Sequence, residues 1–327
     1  MTHIGRSSIV LFTLIFTLAV SPTFAGKGLK LDFTGVEDLG PDYVYEGWIM
    51  VDGAPVSTGT FKVSPGGALH PSIFEVTDYQ AMNATAFILS IEPAMDPDPG
   101  PADTKYIAGE FAMGSAMLDI THPAVIGTDF SMALGGYILE TPSTASIPDD
   151  YDQGIWFLDP SGGPGPSLDL PTLPAGWTYE GWVVGMDGPM TTGQFTMVDA
   201  ADEDGGGPYA GMDSTPPFPG QDFITPPISL IGTTVVISVE PKPDNSPDPF
   251  ALKPLIDTDV MDVGAGVVQD LALNTADLPT GTAEFVDTVM VDLSLVNLED
   301  LGDDFVYEGW IVGHGPTSTG IFMVDDM

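Results

Sequence analysis

The stretch that decides the fold is Tyr45–Val51, YEGWIMV, which is followed by the turn pair Asp52-Gly53 and by Ser57–Phe61, STGTF. Successive side chains of an extended strand point to opposite faces, so the odd-numbered residues of the first segment share one face and Trp48 lies on the other. An Asp-Gly pair between two such segments favours a tight turn, because both residues tolerate positive φ. The stretch therefore predicts a β-hairpin with an aromatic side chain on the buried face of each arm.

The same pair of strings occurs three times along the chain. The distance from the tyrosine of the first string to the phenylalanine of the second is 16, 16 and 15 residues in the three copies. A paired motif held at a nearly constant distance indicates an internal repeat. The repeated positions are Tyr45, Glu46, Trp48 and Phe61 in copy one, Tyr179, Glu180, Trp182 and Phe195 in copy two, and Tyr307, Glu308, Trp310 and Phe322 in copy three.

A further landmark occurs in the first two copies. Phe87–Pro93, FILSIEP, matches Val235–Pro241, VVISVEP, with Glu92 and Glu240 in equivalent places. Apolar residues recur at every second position in both segments, as a half-buried strand requires, and the proline ends the strand because it has no amide hydrogen. The third copy reaches Met327 before this landmark.

Composition supports an all-β chain. Glycine (39) and proline (31) make up about one in five of the 327 residues, a density that interrupts long helices and favours short strands and turns. We therefore predict tandem antiparallel β-sandwich modules, the third of them truncated. The predicted division is 26–107 for the first repeat, 108–258 for the second with extra strands, and 259–327 for a partial third.

The first 25 residues have the features of a secretory signal peptide. Arg6 supplies a positive charge, the segment 9–20 is apolar apart from two threonines, and a small residue, Ala25, precedes Gly26. The alternative is an uncleaved membrane anchor, but twelve residues are fewer than the ~20 that cross a bilayer. We expect an exported protein, extracellular or periplasmic, with no membrane span after cleavage.

Charge and cysteine content exclude several classes of function. The formal net charge is −40, and Arg6 is the only arginine, so the exported chain has too few cations to neutralise nucleic-acid phosphates or anionic lipid. The chain has no cysteine, which excludes disulfides, thiolate metal sites and a cysteine nucleophile. The expected partner is a protein or a glycan at the cell surface.

The order of these motifs resembles the C-terminal domain of anti-sigma-K factors (RskA-like). The resemblance rests on Leu-x-Leu, Tyr-Glu-Gly-Trp, Ser-Thr-Gly-x-Phe and Ser-Val-Glu-Pro, and it covers about residues 28–107, 160–258 and 290–327. It implies an extracytoplasmic β-sandwich. The sigma-binding domain and single span of those factors have no counterpart in the sequence, and a Gly-Gly-Ser run after Glu-Pro is also missing. The resemblance thus implies a shared exported module without sigma-factor control.

The repeated motif has two interpretations. Exposed tryptophans would form a platform for sugars or peptides, whereas buried ones would fill the core, and a residue present in every copy is more simply explained by folding. An acid of one copy paired with an acid of another could mimic a two-carboxylate hydrolase, but the copies are about 130 residues apart and should form separate modules. A hydrolase would therefore need an acid pair within one module. No Gly-x-Ser-x-Gly elbow and no phosphate-binding loop is present, and the histidines fall at unlike positions, so we expect no enzyme.

Calcium is the one cofactor that the acidic loops suggest. Asp199, Asp202 and Asp204 precede a triple glycine and offer oxygen ligands, although their spacing is not that of an EF-hand. A solvated acidic surface explains the same residues without a metal. The function we expect is a non-catalytic extracytoplasmic interaction or structural module, and the alternative is a ligand-sensing or carbohydrate-binding surface protein.

Overall fold

The computed structural model describes residues 25–144, 149–203, 216–244, 246–275 and 278–289. The segment 1–24, Asp204 and the third copy of the motif, with Tyr307, Glu308, Trp310 and Phe322, lie outside the described residues. In the described part the protein is nearly all β, with one short α-helix, α1 (Asp78–Asn83), and two 3-10 turns. The strands are β1 (Ala25–Thr34), β2 (Tyr43–Val51), β3 (Ala54–Val63), β4 (Leu69–His70), β5 (Ile73–Val76), β6 (Ala84–Pro93), β7 (Lys105–Glu110), β8 (Ser115–Asp119), β9 (Gly135–Leu139), β10 (Gly154–Trp156), β11 (Leu158–Asp159), β12 (Gly165–Pro166), β13 (Trp177–Gly185), β14 (Gly188–Phe195), β15 (Gly220–Asp222), β16 (Thr234–Pro241), β17 (Leu255–Asp257), β18 (Gln269–Leu273) and β19 (Thr280–Val289).

Two large sheets share one strand order. The first sheet runs β4-β3-β2-β6-β7-β8-β19-β1-β5, and the second runs β14-β13-β16-β17-β18-β9-β10-β15. Without β4, each strand of the first sheet has a counterpart at the same place in the second. The first sheet curls until its ends meet, since Phe61 on β3 and Phe74 on β5 have ring centroids 5.6 Å apart. The prediction of an all-β chain of antiparallel sandwich-like modules is confirmed.

The hairpin of the repeated motif forms as predicted in both described copies. Tyr45 lies opposite Phe61 across β2 and β3, with ring centroids 5.7 Å apart. Tyr179 and Phe195 stack at the same distance across β13 and β14. All four side chains are buried in the main hydrophobic core. An aromatic pair opposite one another on the inner face holds the two arms in register.

A β-bulge in each hairpin explains two of the repeated glycines. Gly47 pairs with Gly59 but Trp48 pairs with Ser57, so Thr58 is an extra residue on β3. Gly59 has a φ of +115°, a conformation that strongly favours glycine. A Cβ on Gly47 would lie 2.5 Å from Thr58 Oγ1, and that hydroxyl donates to the Gly47 carbonyl at 3.0 Å. Gly47 therefore leaves room for the bulged threonine.

Sheet pairing crosses the predicted module boundaries. The strand β8, assigned to the second repeat by the sequence, pairs with β7 in the first sheet. Of the strands assigned to the third repeat, β18 pairs with β17 and β9 in the second sheet, and β19 pairs with β8 in the first. Hydrogen bonds therefore join strands from different predicted repeats within one sheet. The divisions 26–107, 108–258 and 259–327 stay a prediction about repeats in the sequence.

We expect the bulge to make Gly181 far less tolerant of a methyl group than Gly185 on the same strand. A Cβ on Gly181 would lie 2.8 Å from Phe157 Cε2 and closer still to Thr192 Oγ1, whereas on Gly185 the nearest atom is 3.8 Å away. Overpacking of this kind costs about 1–3 kcal/mol, so G181A should lower the free energy of unfolding while G185A leaves it nearly unchanged. Urea titration of both variants measures the difference, and equal costs would contradict this account of the bulge.

Candidate functional site

The tryptophan of each of the two described copies of the motif is buried on the face of the sheet opposite the tyrosine. Trp48 is 3% exposed and packs against Ile88, Ala108 and Val125, a small apolar cluster separate from the main core. Trp182 is 2% exposed. The platform hypothesis requires exposed rings at these positions, so neither described tryptophan is placed to stack on a ligand.

Each indole donates a hydrogen bond to a serine two residues before the repeated glutamate. Trp48 Nε1 donates to Ser90 Oγ at 2.9 Å, and Trp182 Nε1 donates to Ser238 Oγ at 2.8 Å. The serine hydroxyl in turn donates to the carboxylate of Glu92 or Glu240. The sequence interpretation treated the Ser-x-Glu-Pro string as a strand end and missed this role. The signal was the identical serine in two otherwise apolar segments.

The glutamate continues this chain into the loop that follows its strand. Glu92 Oε1 accepts the Ala102 amide at 2.8 Å, and Glu240 Oε1 accepts the Phe250 amide at 2.9 Å. We call this set of contacts the Trp-Ser-Glu relay. The relay joins β2, β6 and the loop before β7 in the first sheet, and β13, β16 and the loop before β17 in the second.

Burial shifts the acid–base properties of both relay glutamates. Glu92 is 1% exposed and Glu240 is not exposed at all. Removal from water raises the pKa of each carboxyl, and the hydrogen bonds from the serine and the loop amide lower it. For Glu240 the outcome is a pKa of about 8. Near neutral pH this carboxyl is therefore largely protonated.

The glutamates of the Tyr-Glu-Gly-Trp string stabilise the hairpin. Glu46 accepts a hydrogen bond from Ser57, and Glu180 accepts from Thr191. The same hydroxyls accept the amides of Gly59 and Gly193, at 3.1 and 2.9 Å. The Ser/Thr-x-Gly string thus fixes the bulge and holds the strand acid at once.

Both described copies place two carboxyls close enough to interact within one module. The charge of Glu46 contributes to the raised pKa of Glu92, and Glu180 contributes in the same way to that of Glu240. A two-carboxylate hydrolase needs such a pair on either side of a substrate. One member of each pair, Glu92 or Glu240, is buried and takes part in the relay contacts.

The loops before β7 and β17, which the relay glutamates hold, lie next to contacts between the two sheets. Trp177 Nε1 donates to the Lys105 carbonyl at 3.2 Å, and Tyr106 lies 5.2 Å from Phe250 between ring centroids. A cleft of about 270 Å³ opens beside this aromatic cluster. Its lining residues are mainly acids, prolines and aromatics, among them Glu37, Asp38, Asp42, Tyr43, Asp244 and Phe250.

Glu37 is an acid of this cleft whose pKa is shifted by burial. Burial raises its pKa to about 7, and the nearby Lys253 and the Ala251 amide lower it. Burial also lowers the pKa of Lys253, although Glu37 opposes that shift. A cationic group entering the cleft would face the same carboxyl that Lys253 now neutralises in part.

The calcium candidates do not form a described site. Asp202 is 6% exposed, and its Oδ2 accepts the Gly220 amide at 3.2 Å, which ties the loop to β15. Asp199 lies in the turn that follows β14. Within the described ranges, no group of three or more histidine, aspartate or glutamate side chains is arranged to hold a metal ion. The described part likewise contains no helix with the length and apolar character needed to cross a membrane.

We expect the relay to act as one energetic unit. S238A should cost about 1–3 kcal/mol, because it leaves the Trp182 N–H unpaired in a buried site. The double variant W182F/S238A should cost less than the sum of the two single variants, since the second substitution removes a contact that is already lost. Urea unfolding of the four proteins measures the coupling.

The matched control for this cycle is S90A, which removes the equivalent serine from the other sheet. W182F and S90A share no partner, so their costs should add. If W182F/S238A is as additive as W182F/S90A, the relay is not a unit.

The raised pKa of Glu240 predicts a pH dependence of stability. Its unfolded pKa is near 4.5 and its folded pKa about 8. The folded state therefore holds an extra proton between these values, and this contribution to stability is complete below pH 4.5 and is lost as pH rises through 8. E240Q should flatten the fall in melting temperature between pH 5 and 8. E110Q removes a charge from an exposed site and should leave the slope of the parent protein, so equal slopes in all three proteins would contradict the assignment.

A scan against protein-family models, a search of curated proteins and a search of solved structures each found no match to this chain. The resemblance to the anti-sigma-K C-terminal domain therefore remains a prediction from the motifs.

Proposed function

We propose that this protein is a non-catalytic, exported module that acts outside the cytoplasm as a structural or interaction domain. The observation that supports this most directly is how the repeated motif is used. In both described copies its tyrosine, tryptophan and phenylalanine are buried, and its glutamates accept hydrogen bonds within the fold. The repeated residues thus build the sheets. Any contact with a partner would therefore be made by other residues, on the surface of the module.

Charge supports a role outside the cell in an aqueous, ion-containing medium. The sequence carries 47 acidic residues against 7 basic ones. The described part contains two ion pairs, Lys27–Asp287 and Lys242–Glu203, both at 2.5 Å and both substantially exposed to solvent. Strong like charge keeps a β-rich protein soluble and discourages contact between sheet edges. The resemblance to the anti-sigma-K C-terminal domain points to the same compartment.

The alternative, a ligand-sensing or carbohydrate-binding protein, predicts exposed rings at Trp48, Trp182 and Trp310, the last of which lies outside the described residues. That function needs solvent-facing tryptophans, and Trp48 and Trp182 are both buried with their N–H groups paired. A W182F variant that lost binding to a sugar while keeping its free energy of unfolding would favour this alternative. A variant that loses stability favours the structural role.

Export is tested by expressing the full chain in a bacterial host and determining the N-terminus of the product. We expect the protein in the periplasm or medium to begin at Gly26, because Ala25 ends the predicted signal peptide. The control L14R places a charge in the apolar segment and should keep residues 1–25 attached inside the cell. A parent protein that keeps its first 25 residues in the membrane fraction would overturn the proposal in favour of an anchored protein.

A further inference from the structure

One place in each sheet is filled by a strand from an unexpected part of the chain. In the second sheet β9 lies between β18 and β10, and in the first sheet β19 lies at the equivalent place between β8 and β1. Along the chain, however, β9 follows β8 and β19 follows β18. The strand β9, which follows β8 of the first sheet along the chain, therefore belongs to the second sheet. The strand β19, which follows β18 of the second sheet, belongs to the first.

The strand β19 is remote in sequence from both of its neighbours. It pairs antiparallel with β8 from Thr280 opposite Asp119 to Glu284 opposite Ser115. These partners are separated along the chain by the whole of the second sheet. By contrast, only residues 274–279 separate β19 from β18. The second sheet has all eight of its strands without β19.

Few side chains of β19 are fully buried. Among residues 280–288, Ala283 is the one whose side chain is fully buried, and Phe285 stacks on Phe111 with ring centroids 4.5 Å apart. Glu284 and Asp287 are exposed, and Asp287 forms a surface ion pair with Lys27 at 2.5 Å. Exposed ion pairs contribute little to stability. Recognition by main-chain hydrogen bonds with one or two side-chain anchors is typical of strand addition to a sheet.

We propose that the slot between β8 and β1 is a strand-acceptor site and that its partner is β19 of a second copy of this chain. When β19 leaves its slot, two strand edges lose their partners and favour pairing with another strand. The β19 of any other copy has the same ten residues and fits the slot in the same register. Exchange of an identical element between copies is a low-cost route to an oligomer.

The short connection between β18 and β19, residues 274–279, determines whether β19 pairs within its own chain or with another copy. In dilute solution the protein's own β19 is favoured, because it is held near the slot at high effective concentration. In concentrated solution, exchange links one copy to the next. This inference names the partner of the proposed interaction module and rests on that function in this sense alone. Its failure would leave export and the role of the relay unchanged.

The register of β19 allows a direct test with cysteines, since the chain has none of its own. Thr282 lies opposite Met117, and Phe285 N donates to the Gly114 carbonyl at 2.9 Å. Counting back from that hydrogen bond, Thr282 and Met117 form a non-hydrogen-bonded pair, in which side chains approach closely. The double variant M117C/T282C should therefore close a disulfide within one chain.

Exchange is measured by mixing two full-length single variants, M117C and T282C, that carry tags of different size. After concentration and mild oxidation we expect a mixed disulfide between the two chains on a non-reducing gel. The control mixture is M117C with M186C, because Met186 is fully exposed in the turn between β13 and β14. The M117C–T282C product should exceed the control product at least about tenfold.

Two results would overturn the proposal. The first is a mixed disulfide no more abundant than in the control mixture while M117C/T282C closes internally, which shows that β19 stays in its own chain. The second is a double variant that forms no disulfide, which shows that β19 does not occupy the slot.

Discussion

The hydrogen bond from a buried indole to a buried serine organises each sheet of this protein. A tryptophan on an inner strand leaves one polar N–H in an apolar environment, and that group is costly unless it finds an acceptor. Ser90 and Ser238 supply the acceptor, and their own hydroxyls then need one, which the glutamates two residues later provide. The glutamate in turn holds the amide of the next loop. These hydrogen bonds link three chain segments in each sheet.

The relay explains why so acidic a chain buries some of its carboxyls. A buried glutamate is tolerable when it is hydrogen-bonded and when it binds a proton, and Glu240 meets both conditions with a pKa of about 8. Many other acids of the described part are exposed to solvent, which screens their charge. Burial therefore divides the acids into a few that hold the sheets together and many that keep the protein in solution.

Functionally, the motif and the slot have different roles. In the two described copies the repeated motif builds the fold, and its tryptophans, Trp48 and Trp182, are buried. The completing strand β19 has few buried side chains and a short connection to the second sheet. A sheet that depends on a strand from the far end of the chain is complete only when that strand returns, and this makes it open to a substitute from another copy. We regard this dependence as the feature of the fold most relevant to interaction.

The sequence by itself determined the local structure. Period-two patterning, the Asp-Gly turn and the Tyr–Phe spacing were enough to predict the hairpins, the buried aromatic pair and the all-β class, because these features depend on residues close together in the chain. The tertiary structure alone decided that Trp48 donates to Ser90 and that Asp202 binds the backbone of β15. It also decided that β9 lies in the second sheet and β19 in the first. Pairing between distant strands depends on backbone hydrogen bonds that are the same for every residue except proline. The residue pattern therefore carries almost no record of which strand pairs with which.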